Sequence, residues 1–556
     1  MCSMGMITQT DTSATGWERQ SRRGELTKRG VVIALIVVAL LIVSLEWLRT
    51  SDRYQGAVEL TATARIILTN SPLDVDAETI AQAAADGLTS VLDPYSGYLT
   101  PTELNLLTEE TAGAYHGLGV EIRRREGRIY IIDVMPQSPA EEAGLRPGDR
   151  IVSVDGQTSF DLSPDELVGI VRGADNEPID MTIMAPDGIE RQLSIIPRDV
   201  AIDPFPLVGV TRSGIGYIRW EHFTNGSGDR LAALVEELRV EETVGLILDL
   251  RGNPGGIVSE AVTAAGLFQE RQSLVCTLVG ASAEDSVEFR TSALPIYQEP
   301  LVIVQDELSS SAAEILAASL RDADRAVIVG RRSFGKGWVQ NVFPLSNGGG
   351  LRLSTAYYIT PSGERIGNPH RARVQFDSLV AGGHWVGTGL AADIEVPESG
   401  GGPWEQMMMR EGIATEYVVA HADRWPATGV EDSSRMMRDL ARWMSGRDLR
   451  PEGTGQSILE LLSDSASDFQ ISHNHGRLIR ELRDAVDEDN WLRFRREAPG
   501  ILRHLWEERL RHVEVADPGE LEAMIELDPS LAAARDLIEQ PERFQSILAG
   551  LGKTLP

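Results

Sequence analysis

Cysteine is almost missing from this chain: Cys2 and Cys276 are the only two in 556 residues. They flank the long apolar run described below, so no disulfide framework and no CxxC redox or metal pair is available. Positive charge is also short, with 52 Lys and Arg against 83 Asp and Glu, a formal net charge of −31. That balance excludes nucleic-acid binding through a broad basic face. The nine histidines form no H-E-x-x-H helix, and neither His370 nor His384 has a second ligand at metal spacing, so no metal is expected. No G-x-S-x-G elbow occurs. The pair Gly117 and Gly119 lacks the third glycine of a dinucleotide fingerprint, and Gly552-Lys553-Thr554 lacks the first glycine of a phosphate loop, Ile547 standing in its place. No cofactor is expected.

A single long apolar run is present, Val31 to Leu48, whose first thirteen residues carry no polar side chain. Eighteen helical residues reach about 27 Å, close to a bilayer core of about 30 Å. Arg19, Arg22, Arg23, Lys28 and Arg29 precede it, which keeps the N-terminus cytoplasmic. The bulky, charged Leu45-Glu46-Trp47-Leu48-Arg49 offers no small-residue cleavage site, against a removed signal peptide. The expectation is a single-pass anchor in the cytoplasmic membrane, with residues 1–30 inside and the remainder periplasmic or extracytoplasmic.

Chemistry concentrates between Leu301 and Gln340. A strand at Leu301-Val302-Ile303-Val304 is followed by Ser309-Ser310-Ser311-Ala312-Ala313-Glu314-Ile315, which opens a helix to about Leu320. A second strand at Ala326-Val327-Ile328-Val329 leads to Phe334-Gly335-Lys336-Gly337-Trp338-Val339-Gln340. Free N–H groups and the positive dipole end of a helix start favour an alkoxide or an oxyanion. A lysine acts as general base only if burial lowers its pKa from about 10.4 to roughly 7–8. A serine nucleophile with a lysine base fits; from the local residues alone, three capping serines and a solvated lysine fit as well.

The runs SSSAAEI and FGKGWVQ resemble the active-site region of the carboxy-terminal processing proteases, also called tail-specific proteases. The resemblance implies that Ser311, the central serine of the run, is the nucleophile, that Lys336 is the base and that Gln340 orients the lysine. Leu250-Arg251-Gly252-Asn253-Pro254-Gly255-Gly256 resembles the same family's N-P-G-G turn. It implies an oxyanion hole from the N–H groups of Gly256 and Ala312, with Gly255 as the near alternative. Asp249 and Arg251 read as an ion pair or loop anchors. Leu308, Ala313 and Trp338 depart from the family pattern and bear on pocket shape.

Around this core the chain divides in order. Residues 55–112 are helical in pattern, interrupted by Leu92-Asp93-Pro94-Tyr95-Ser96-Gly97-Tyr98-Leu99, which resembles the signature ending the family's N-terminal segment. Residues 113–200 read as a PDZ domain from Ser138-Pro139-Ala140-Glu141-Glu142-Ala143-Gly144-Leu145-Arg146-Pro147-Gly148-Asp149. There Gly117-Leu118-Gly119-Val120 resembles the carboxylate-binding loop, the strand from Val120 offers an edge to a peptide, and Phe160 to Val171 would be the groove's helix. Residues 201–399 would be the protease core. Gly400-Gly401-Gly402-Pro403 reads as a linker, and residues 403–556 as a charged helical extension to which the resemblance does not reach.

The expected fold class is a multidomain α/β protein. A PDZ domain is inserted between an N-terminal helical segment and a crotonase-like ββα serine protease core, with a transmembrane helix before and a helical extension after. The expected function is a membrane-anchored serine endopeptidase that grips free C-terminal protein tails through the PDZ domain and cuts with a Ser/Lys dyad. The competing reading is a catalytically idle PDZ adaptor for such tails. Partners are protein or peptide substrates and the membrane, with no nucleic acid; a homo-oligomer or a regulatory partner, through the amphipathic extension, stays open.

Overall fold

The computed structural model describes residues 52–551 apart from 126, 175, 281–284, 368–388, 398–400, 423–424, 426–432, 448, 450, 452–481, 483–485, 487 and 514–515. The apolar run Val31–Leu48, His370 and His384, and residues 452–481 of the expected helical extension lie outside the described residues. Among the described residues no helix is long and apolar enough to cross a membrane. The chain divides at Leu92 into two units. Within the first, α1 (Asp52–Asn70) precedes α2 (Ala77–Thr89), whose first turn is closed by the Asp76 side chain accepting from the Thr79 N–H.

The second unit opens with β1 (Gly97–Leu99) and α3 (Pro101–Ala112). Thr100 and Glu103 form a reciprocal cap at the start of α3, and Gly113 ends it in the left-handed conformation. The next module begins and ends on paired strands, β2 (Ala114–Gly117) against the later β9, so its entry and exit lie side by side. Between them run β3 (Val120–Arg125), β4 (Arg128–Val134), α4 (Pro139–Glu142), β5 (Arg150–Val154), β6 (Gln157–Thr158), α5 (Pro164–Gly173), β7 (Ile179–Met184), β8 (Glu190–Ile195) and β9 (Arg198–Ala201). The sheet order is β3-β4-β5-β7-β8, leaving β3 as an edge. The groove helix is shorter than expected: Ser163 caps α5, and Phe160 lies exposed in the preceding turn.

The α/β core follows as β10 (Leu207–Val210), β11 (Ile215–Arg219), α6 (Ser227–Val240), β12 (Gly245–Asp249), α7 (Val258–Ala265), β13 (Leu274–Val279), β14 (Ser286–Arg290), β15 (Leu301–Gln305), α8 (Ala312–Asp322), β16 (Ala326–Gly330), β17 (Trp338–Pro344), β18 (Gly350–Ile359) and β19 (Ile394–Glu395). One sheet has the order β10-β11-β12-β15-β16-β19, parallel except for β10 against β11. A second, antiparallel sheet runs β1-β18-β13-β14 with β17 also on β18. Every residue of β12, β15 and β16 is buried, as strands covered on both faces require. Ile218, Leu246, Leu248, Ile303 and Ile328 pack on one side with α6, α7 and α8. Tyr217, Ile247, Val302, Val304, Val327 and Val329 face the other way.

The C-terminal extension covers that second face. It comprises α9 (Pro403–Arg410), α10 (Ile413–Ala420), α11 (Ser433–Ser445), α12 (Ala498–Arg511), α13 (Pro518–Leu527), α14 (Pro529–Ile538) and α15 (Pro541–Leu551). Trp404, Met408, Leu505, Trp506 and Leu537 join the sheet side chains in one cluster. The apolar faces of these helices therefore have a partner within the chain. The expected linker is shorter than read, because Pro403 already begins α9 with Gly402 at its cap. The helical stretch before α12 breaks at Glu497, whose carboxylate accepts the N–H groups of Trp404 and Glu405. The extension also reaches the PDZ-like module: His512 Nε2 lies 3.0 Å from Asp133 Oδ1, Arg125 pairs with Glu416 at 3.4 Å, and Gly412 sits so close to Ile132 that a Cβ would meet its Cβ at 2.5 Å.

A buried ion network fastens the extension to the core. Asp249, fully buried, takes Arg251 at 2.6 Å, Arg219 at 3.1 Å and the Tyr217 hydroxyl at 2.8 Å. Arg251 continues to Asp528 at 2.6 Å, and Asp528 to Arg503 at 3.2 Å. Burial alone pushes the Asp528 carboxyl up, but the charges of Arg251 and Arg503 and the hydrogen bonds it accepts outweigh this and hold it below the ordinary value. A depressed folded-state pKa gives stability that is present above the unfolded value of about 3.9 and lost as pH falls through the lower folded value. Asp528→Asn, which keeps the helix cap and removes the charge, is expected to lower the unfolding free energy by about 3–5 kcal/mol at pH 7. The gap to wild type in urea melts should narrow as pH falls below about 4.

Candidate active site

The polypeptide leaving β15 forms a tight run of three serines whose hydroxyls have different fates. Ser309 Oγ donates to the Leu250 carbonyl at 2.8 Å, and Ser310 Oγ to the Pro254 carbonyl at 2.8 Å. Both residues are buried. The Ser311 hydroxyl donates to no described group. Ser311 stands at the N-cap of α8 with φ 57° and ψ −116°, a region costing a non-glycine residue on the order of 1–3 kcal/mol. Such a value persists only where the surroundings impose it.

The turn after β12 imposes it. Asn253 is fully buried; its Nδ2 donates to the Trp220 carbonyl and its Oδ1 accepts from the Gly255 N–H, each at 2.8 Å, while its carbonyl accepts from Ser310 N at 2.9 Å. Gly255 then lies against the serine run. A Cβ there would stand 2.7 Å from Ser311 Cβ and 2.8 Å from Ala312 N, so only glycine fits. Because the Gly255 N–H is engaged by Asn253, it is not available to a ligand. Gly256, at φ 139°, has an N–H that donates to no described group. Ala312 opens α8, so its N–H has no acceptor inside the helix.

Lys336 arrives on a loop stitched to the same run. Phe334 N donates to the Ser309 carbonyl at 2.9 Å, and Ser333 and Leu390 exchange hydrogen bonds that hold the loop's start. Gly337 packs under Ile366, where a Cβ would fall 1.7 Å from the carbonyl oxygen. The connection the sequence reading did not single out is Glu314. Its carboxylate is 1% exposed; Oε2 accepts from Ser311 N and from Lys336 N, each at 2.9 Å, while Oε1 accepts from Gly335 N at 2.8 Å and from the Ser333 hydroxyl. One oxygen thus ties together the main chains of Ser311 and Lys336. The signal was present: glutamate three residues after a serine at a helix start is the capping-box spacing.

Electrostatics at the lysine follow from this packing. Burial is the main force holding the Lys336 amine below its ordinary pKa, the Arg352 charge adds to it, and Glu314 and Glu110 oppose it. Burial pushes the Glu314 carboxyl up, against the hydrogen bonds from Ser333, Gly335, Ser311 and Lys336. Gln340 stands on β17 opposite Ser354 of β18, at an irregularity in the register. Its Nε2 is buried without a hydrogen-bond partner among the described residues, and no hydrogen bond between Gln340 and Lys336 occurs among the described residues. Cys276 is buried within the core, its thiol pushed up to about 12, and has no part in the site. No group of His, Cys, Asp and Glu suited to a metal occurs among the described residues.

Gly117, Leu118, Gly119 and Val120 come together at one end of a groove of about 420 Å³ between β3 and α5. Ile122, Leu167, Val168 and Val171 supply its apolar walls. Gly119, at φ 82°, passes so close to Ser138 that a Cβ would meet its Cβ at 2.1 Å.

Glu314→Gln is expected to lower the unfolding free energy by about 1–3 kcal/mol. One amide N–H must then face a donor in place of an accepting oxygen. Urea melts of the two proteins give the difference.

The sequence pattern of Peptidase family S41 matches residues 214–377, and that of the PDZ domain matches residues 130–183. The carboxy-terminal-processing protease of Bartonella bacilliformis is 33% identical over 297 residues, 52% of this chain and 68% of that protein. The carboxyl-terminal-processing protease of Synechocystis is 31% identical over 304 residues, 54% of this chain and 70% of that protein. A solved structure, the photosystem II D1 C-terminal processing protease, aligns with 25% identity and a TM-score of 0.35 over 63% of this chain and 88% of that one. Since both relatives are more than 30% identical to it over at least two thirds of their own length, this chain belongs to the carboxy-terminal-processing proteases, serine-type peptidases of family S41 that carry a PDZ domain.

Proposed function

We propose that the chain is a membrane-anchored endopeptidase that captures the free C-terminal tails of proteins in its PDZ groove and cuts them with Ser311 and Lys336. The observation that carries the dyad is the Glu314 carboxylate accepting from both main chains through one oxygen. Neutral Lys336 takes the proton of the Ser311 hydroxyl as Oγ attacks the scissile carbonyl, then gives it to the departing amine. Water repeats the cycle on the acyl-enzyme. The N–H groups of Gly256 and Ala312 receive the oxyanion, a donor of this kind being worth about 2.7–4 kcal/mol. Gln340 orients the lysine by accepting from its amine through the amide oxygen, which leaves the nitrogen lone pair free for the Ser311 proton. The apolar run Val31–Leu48, preceded by basic residues, supports an anchor that leaves the catalytic part outside the cytoplasm.

The groove's edge strand and apolar walls suit an added peptide strand ending at the Gly117–Val120 loop. An idle adaptor would need none of the fixed geometry around Ser311.

Protein beginning at Ser51 should digest a denatured protein, and Ser311→Ala and Lys336→Ala should each lose at least 1,000-fold in kcat/KM, following the scale on which triad members act. Equal cleavage by all three removes the dyad. Because the working lysine is neutral, wild-type kcat/KM should rise with pH through the depressed lysine pKa. Val168→Glu, on the groove wall, should raise KM for a tailed protein about tenfold, the effect of roughly 1.4 kcal/mol. It should leave kcat on a short peptide unchanged.

The full chain should sediment with membranes and resist alkaline carbonate extraction. Deleting residues 31–48 should release it into the soluble fraction.

A further inference from the structure

The motif Leu92-Asp93-Pro94-Tyr95-Ser96-Gly97-Tyr98-Leu99 has no part in the chemistry described so far. Its placement gives it one. Asp93 folds the segment on itself: Oδ1 accepts from Tyr95 N and Ser96 N, each at 2.8 Å, and Oδ2 from Ser96 Oγ at 2.7 Å. The same carboxylate accepts from Ser354 Oγ at 3.1 Å, and Ser354 N donates to Ser96 Oγ at 3.1 Å. Arg352 Nε donates to the Tyr95 carbonyl at 2.9 Å, and the following residues pair with β18 in the register Gly97↔Arg352 to Leu99↔Gly350. Ser354 is in turn opposite Gln340 on β17. The motif is therefore locked to the strand beside the one that carries Gln340. The outcome is the Tyr95 ring lying with its centroid 5.6 Å from Lys336 Nζ.

Resting on the dyad reading, we propose that Tyr95 is a positioning residue for the lysine: its ring shuts water from one side of the Lys336 amine and so keeps that amine neutral and aimed. A ring near an amine has two opposed effects. Its π-face attracts an ammonium and favours the charged form. Replacing the amine's hydration disfavours the charged form. Burial is the first cause holding the amine below its ordinary value, and the cover given by the ring acts in that same sense. The motif adds to this by fixing Arg352, whose charge acts on the lysine in the same sense. The phenol is itself buried enough to be pushed well above its usual range, so it stays neutral and contributes no compensating charge.

The test is the pH profile of kcat/KM on a denatured protein for Tyr95→Phe, Tyr95→Leu and Tyr95→Ala in the chain from Ser51, with Lys336→Ala alongside. Tyr95→Phe and Tyr95→Leu, which keep the amine covered, should stay within about threefold of wild type. Tyr95→Ala admits water, so its acid limb should move about one pH unit to the alkaline side, a roughly tenfold loss at pH 7 that is recovered at high pH. A loss in Tyr95→Ala that is equal at every pH, a limb that does not move, or one that moves to the acid side overturns the proposal. So does a Tyr95→Leu profile shifted as far as that of Tyr95→Ala, which would assign the effect to the π-face. If Tyr95→Ala does not fold by circular dichroism, Tyr95→Thr takes its place with the same outcomes. An unmoved limb beside an inert Lys336→Ala refutes the role of Tyr95 alone; an active Lys336→Ala refutes the dyad on which it rests.

Discussion

A single carboxylate oxygen joins the two loops of the candidate site. Ser311 lies in the connection from β15 to α8 and Lys336 in the loop from β16 to β17, two loops that leave the same ends of neighbouring parallel strands. Glu314 Oε2 makes them meet by accepting both main-chain N–H groups, while Oε1 secures Gly335 and Ser333. A buried anion with four donors is tolerated where an unpartnered one is not. The unfavourable Ser311 backbone is sustained by that carboxylate on one side and by the Gly255 turn pressed against it on the other.

The sheet that carries these loops is two-faced, and its second face is supplied by sequence beyond the family match at residues 214–377. The helices of the extension are thus as much part of the hydrophobic core as α6, α7 and α8. Their charged residues continue the pattern inward. Asp249, one strand-end away from the Gly255–Gly256 turn, is linked through Arg251 to Asp528 and Arg503 of the extension. The geometry of the turn and the seating of the extension are therefore coupled through two buried carboxylates and the half-buried arginines between them.

Much of this was legible because it is local. The all-apolar runs Leu301–Val304 and Ala326–Val329 appear as β15 and β16, and the serine run and Lys336 fall where helix and glycine signals place them. The groove loop Gly117–Val120 also follows from its glycines. Long-range matters were less visible. Glu314 looks like an ordinary helix-cap partner until the Lys336 loop folds back onto it. The extension's amphipathic spacing shows that its helices need a surface, yet not that the surface is the chain's own sheet. Strands with no polar position on either face were the available clue, since they demand two covers. Gln340 illustrates the opposite limit: its position in sequence is informative, while its hydrogen bonding depends on packing that spacing does not encode.

The contact between His512 and Asp133, with Arg125 on Glu416 nearby, has a mechanical corollary. The helix that bears His512 is the one whose Trp506 and Leu505 are embedded against the protease sheet. The PDZ module is therefore joined to the rest of the chain at a second point, besides the paired strands through which it enters and leaves. A module joined only at its ends is positioned by its two connecting strands alone; this one is positioned by the extension as well, so its placement on the protease core depends on helices that lie far along the chain.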